Sequence, residues 1–141
     1  MSSWVVLAEA DVTDALPTNM ATSYAAWVTA NPDKEGRRGE LALEAVATCR
    51  AAVESGSPWA LDSDETTVPT SGYRHMINMV TFNLGIEMSY TFPEAFDALV
   101  TRADIWLRSV QVGSISIPSA DGTLPSPSYE PPEPAGRVLV G

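Results

Sequence analysis

Residues 93–113, PEAFDALVTRADIWLRSVQVG, decide how this chain is read. Phe96, Leu99, Ala103, Trp106 and Val110 recur at alternating spacings of three and four, with Leu107 beside them. That period lays a single apolar stripe along an α-helix. Pro93 suits the first helical position, where a missing N–H costs nothing, and Glu94 and Asp97 sit at the positive end of the helix dipole. Gly113 has the place of a C-terminal glycine. The stretch predicts a helix over 93–112 that needs other helices to cover its stripe.

Those helices lie upstream. Thr70 or Ser71 opens one in which Tyr73, Met76, Ile77, Val80 and Leu84 form a stripe that Met79, Phe82 and Ile86 widen almost all round, as a central helix requires. Ala42, Ala45, Val46, Cys49 and Val53 line another over 40–54, its small residues allowing close approach, with Glu40, Glu44 and Arg50 facing out. Met20, Tyr24, Trp27 and Val28 share one face of a helix that Thr18 or Asn19 caps and Asn31-Pro32 ends. A short helix within 8–16 stops before Pro17. Ser55-Gly56-Ser57-Pro58 opens a loop of about fourteen residues running to Pro69, long for a bundle connection, with Trp59 and Leu61 as its anchors.

Downstream of Gly113 the pattern changes. Ser114-Ile115-Ser116-Ile117 alternates like a short strand, and residues 119–141 hold Pro125, Pro127, Pro131, Pro132 and Pro134 before ending Arg137-Val138-Leu139-Val140-Gly141. The expected organisation is a helical body over 1–118 and an extended docking arm over 119–141. The fold class is mainly α: a small bundle of about four to five helices with a short β segment and a proline-rich C-terminal arm. A solvated tail has no use for an apolar triplet such as Val138-Leu139-Val140, which suits strand addition to a sheet edge. The plain alternative for the arm is a disordered terminus. Ile115, Ile117, Tyr129, Arg137, Val138, Leu139 and Val140 are the candidate partner-binding residues.

Composition excludes several functions. Eighteen acidic against eight basic side chains give a net charge of -10, which repels phosphate backbones and anionic lipid alike. The longest apolar runs fall far short of a membrane span of about 20 residues, and no basic residue precedes Lys34, so neither a membrane segment nor a secretory leader is expected. One cysteine, Cys49, rules out an internal disulfide and reads as a small core residue.

Candidate chemistry is sparse. Asp62, Asp64 and Glu65 crowd the long loop, but the glycine and distal glutamate of a calcium loop are missing. Glu94 with Asp97, and Glu40 with Glu44, read as helix-end charge and solvated face rather than acid–base pairs. His75, the only histidine, lacks a placed carboxylate partner. Gly36-Arg37-Arg38-Gly39 lacks the spacing of a phosphate loop. No catalytic residue, cofactor or metal site is expected.

The acidic first helix, the alanine-rich helix, Pro58-Trp59-Ala60-Leu61, the apolar run Tyr73 to Glu87 and, best of all, Ala103-Asp104-Ile105-Trp106-Leu107-Arg108-Ser109-Val110-Gln111-Val112-Gly113 resemble the head-tail adaptor, or connector, proteins of tailed bacteriophages. The likeness covers roughly residues 5 to 118 and consists of packing patterns. It implies a structural virion protein at the neck, made in the host bacterial cytoplasm. Its subunits would form a ring, typically a dodecamer, that docks on the portal and hands the DNA channel to the next tail component. DNA would pass without specific binding, and the arm would clasp the portal or an adjacent adaptor. The alternative is a small helical ligand-binding or regulatory module, its cleft near Trp59 and His75, with a disordered tail.

Overall fold

The computed structural model describes residues 3–120. Tyr129, Arg137, Val138, Leu139 and Val140, and the arm from 121 onward, lie outside the described residues. The fold is mainly α, with five helices and one two-stranded sheet among the described residues. These are β1 (Trp4–Val6), α1 (Glu9–Ala15), α2 (Thr18–Ala30), α3 (Arg37–Gly56), β2 (Thr67–Pro69), α4 (Thr70–Met88) and α5 (Ala95–Gln111). Helices α3, α4 and α5 pack on one another pairwise, α1 lies across α3 and α4, and α2 touches α4 from outside.

Local chemistry sets the helix ends. The Asp11 carboxylate accepts the Ala8 N–H at 2.7 Å and closes the first turn of α1. Leu16, just before Pro17, is already extended. At the end of α2 the Asn31 amide donates to Trp27 O at 2.9 Å ahead of Pro32. Helix α3 begins at Arg37 rather than Glu40, because Arg37 is bound to Glu87 and Arg38 to Glu9, and these ties hold the glycine-flanked first turn. Helix α5 begins at Ala95 rather than Pro93: Pro93 O accepts the Phe96 N–H at 2.9 Å in a tight turn that leads into the helix. Gly113 does end α5, at φ +81, with the Ser114 N–H donating back to Ser109 O at 2.8 Å.

The β segment is not where the alternation of Ser114 to Ile117 placed it. That stretch is irregular, and the antiparallel pair is β1 with β2, Val5 standing opposite Val68. Residues 114–120 instead fold back over the body. Ile117 is fully buried, the Trp4 indole N–H donates to Pro118 O at 2.9 Å, and the Ser3 N–H donates to Ala120 O at 3.1 Å. The alternation therefore serves an inward-facing strap rather than a strand.

The core is continuous from Val12 and Met20 through Val46, Cys49 and Val53 to Met76, Val80, Leu84 and Val110. Burial pushes the Cys49 thiol up to about 12, which leaves it unreactive at neutral pH. Three helix glycines mark where neighbouring groups approach a helix backbone most closely. A Cβ on Gly72 would overlap the Trp106 ring, one on Gly85 the Phe92 ring, and one on Gly56 the Val110 carbonyl. The predicted stripes fail at two points, since Ile86 is 58% exposed and Leu99 is 36% exposed.

Gly72→Ala should therefore destabilise the fold by about 1–3 kcal/mol, although alanine is the better helix former by up to about 1 kcal/mol. Gly36→Ala, with open space around it, should change stability by no more than about 0.5 kcal/mol. Urea unfolding followed by circular dichroism measures both.

Candidate functional site

The acidic loop after α3 is organised by one cation. Arg50 turns toward the body instead of facing out: its guanidinium donates to the carbonyls of Asp62, Asp64 and Thr67 and lies 5.4 Å from the centre of the Trp4 ring. The Thr67 hydroxyl donates to the Asp62 carboxylate at 2.7 Å, and Asp64 accepts from the Thr66 hydroxyl at 2.7 Å and N–H at 3.0 Å. Those bonds to Thr66 hold the Asp64 carboxyl below its ordinary value. Two of the three acids thus have oxygens committed to loop structure. Among the described residues no group of three or more His, Cys, Asp or Glu is placed to hold a metal ion. Trp59, expected to anchor this loop, is half exposed, while Ala60 is buried and Leu61 packs against the core.

A second charged cluster joins the starts of α3 and the end of α4. Arg37 grips Glu87 through Nε at 2.9 Å and through a terminal nitrogen at 2.7 Å, and reaches Glu40 at 3.0 Å and Glu44 at 3.5 Å. Its guanidinium holds the Glu87 carboxyl below the ordinary value. An open cleft of about 490 Å³ lies beside the cluster, between Trp27, Asn31, Lys34 and Arg37. Glu40 and Glu44 are thereby partners of one arginine. His75 lies against the Trp106 ring at 5.7 Å, and burial, with Arg102 nearby, favours its neutral form.

Apolar surface is the other distinctive material. Leu43 on α3, Ile86 on α4, Ile105 and Val112 on and just after α5, and Val5 and Val6 on β1 are all exposed. Ile105 and Val112 are two helical turns apart and so share the outer side of α5. Near the α4–α5 turn, Phe92 stacks on Phe96 at 4.4 Å, Phe82 stacks on Phe92 at 5.8 Å, and Tyr90 meets Phe92 edge-on at 5.1 Å. Tyr90-Thr91-Phe92 was the visible signal for this cluster, but its closure depends on Gly85 admitting the Phe92 ring.

Of the candidate partner-binding residues, the described ones are drawn inward. Ile115 is partly buried against the core and Ile117 is fully buried. No helix among the described residues is long and apolar enough to cross a membrane. No known protein family, curated protein or solved structure matches the chain.

Arg50→Met leaves the inward carbonyls of Asp62, Asp64 and Thr67 without their donor and should cost about 2 kcal/mol, with faster amide exchange over 62–67. Hydrogen exchange read by mass spectrometry checks both. Glu87 gives a pH signature. Its folded-state pKa is depressed, so its stabilisation is complete above the ordinary value of 4.5 and is lost as pH falls through the lower folded value. Arg37→Met should lower stability at pH 7 by on the order of 1 kcal/mol and flatten the acid limb below pH 4.5 in thermal melts.

Proposed function

We propose that this chain is a structural virion protein of a tailed bacteriophage, an adaptor whose copies form a ring at the head–tail interface. The ring docks on the portal and continues the DNA channel to the next tail component. The observation that carries this reading is the spread of exposed apolar side chains over separate elements: Leu43 at 66%, Ile86 at 58%, Ile105 at 56% and Val112 at 73%. A ring is closed by a heterologous contact, in which one patch of each copy meets a different patch of the next. Apolar groups on α3, α4 and the outer side of α5 supply such unlike patches.

Charge supports the same reading. A net charge of -10 suits a channel wall past which DNA slides without sticking. The helical body agrees with the resemblance carried by residues 103–113, whose glycine ends α5 as the adaptor pattern implies. The arm from 121 onward supplies a docking contact, to the portal or to the adjacent subunit, while Ile117 and Pro118 fasten its root to the body.

Light scattering and negative-stain microscopy of the purified full-length chain test the proposal. Closed rings with a central hole, alone or on the portal of the same phage, are the expected result. A monomer at every concentration, indifferent to the portal, would favour a ligand-binding module using the cleft beside Trp27.

A further inference from the structure

The sheet has one edge that its own ladder leaves open. The Thr70 N–H donates to Ser3 O at 2.8 Å and the Leu7 N–H to Thr66 O at 3.2 Å, with Val5 opposite Val68 between them. In an antiparallel ladder alternate residues bond the partner strand, so Val6 turns its N–H and C=O away from β2. Its side chain is 46% exposed, and that of Val5 37% exposed. Unpaired backbone beside exposed valines is a template for another strand. The opposite end of β1 is already covered, since Ala120 O accepts the Ser3 N–H.

We infer that the occupant of this edge is Val138-Leu139-Val140 of a second copy, added antiparallel to β1 at Val6. Three observations select it. The first is reach and direction. Pro118 lies at Trp4 and Ala120 at Ser3, so residues 118–120 run toward the start of β1, away from Val6. Eighteen residues separate Ala120 from Val138, a length of chain that can span up to about 50 Å at about 3.1 Å per residue. A body of this size has a radius of gyration of about 13 Å, so that length of chain is enough to reach a neighbouring copy.

The second is side-chain chemistry, because two β-branched residues flanking leucine fit a pleated edge lined by Val5 and Val6. The third is charge. Arg137 precedes the triplet, and the loop bearing Asp64 and Glu65 adjoins Thr66 and Thr67, the residues paired with Leu7 and Val6. An antiparallel strand places Arg137 at that acidic end. The inference deepens the ring proposal, on which it rests for the association of copies, by naming one contact between neighbours.

The test uses full-length variants and sedimentation velocity. Val6→Lys blocks the acceptor edge and Val138→Asp the donor strand, and each should weaken self-association at least tenfold. An equimolar mixture of the two should associate more tightly than either alone, because one retains the donor and the other the acceptor. Glu65→Lys and Arg137→Glu should each weaken association, and the double charge reversal should recover it, which guards against a folding defect in Val6→Lys. Rings that persist unchanged in all four single variants would overturn this contact while leaving the ring proposal intact. A wild-type chain that never self-associates would overturn both.

Discussion

The closeness of α5 to the rest of the bundle is the constraint on which the structure depends. The Trp106 ring lies over Gly72 where a β-carbon would otherwise stand, and the ends of α3 and α5 meet at Gly56 with nothing between it and the Val110 carbonyl. Those contacts bring Val110, Met76, Val80 and Val53 into one core, and the small residues Ala42, Cys49 and Ala103 keep the helices close along their length. The turn at Gly113 then follows as a geometric need. With α5 so near α3, the chain must reverse at once, and a residue at φ +81 lets it do so.

From that reversal the strap over 114–120 takes its course. Ile117 fills the last gap in the core, and the bonds from Trp4 and Ser3 join the strap to the start of the chain. The arm is therefore rooted beside β1. On the other side of β1, Arg50 gathers the loop carbonyls that shape the approach to β2. The sheet of only two short strands thus has the strap at one end and the acidic loop at the other.

Helix existence was legible wherever proline, glycine and a long apolar period spoke together. The ends of α1 at Pro17, of α2 at Pro32 and of α5 at Gly113 all follow from local sequence. What was not legible depends on atoms distant along the chain. Arg50 looked like an outward charge because its partners are backbone carbonyls that no side-chain pattern reveals. Strands β1 and β2 are too short to show alternation, and their pairing depends on α3 and α4 bringing them together. Ile115 and Ile117 alternate in a way that suits a partner's edge and their own core equally well; in the fold Ile117 is buried in the core and Ile115 partly so. Leu99 and Ile86 belong to stripes that run past the helices available to cover them.

Such uncovered apolar groups on an acidic, arm-bearing body are the physical basis for reading the chain as one subunit of an assembly. The proposal's central claim concerns where such an assembly would sit. Under the proposal that the chain is a phage neck protein, affinity-tagging it in a phage that carries its gene and imaging gold-labelled virions from the side tests that claim most directly. The account predicts label confined to the junction between head and tail. Label absent from intact virions, or distributed along the tail or over the capsid, would contradict it.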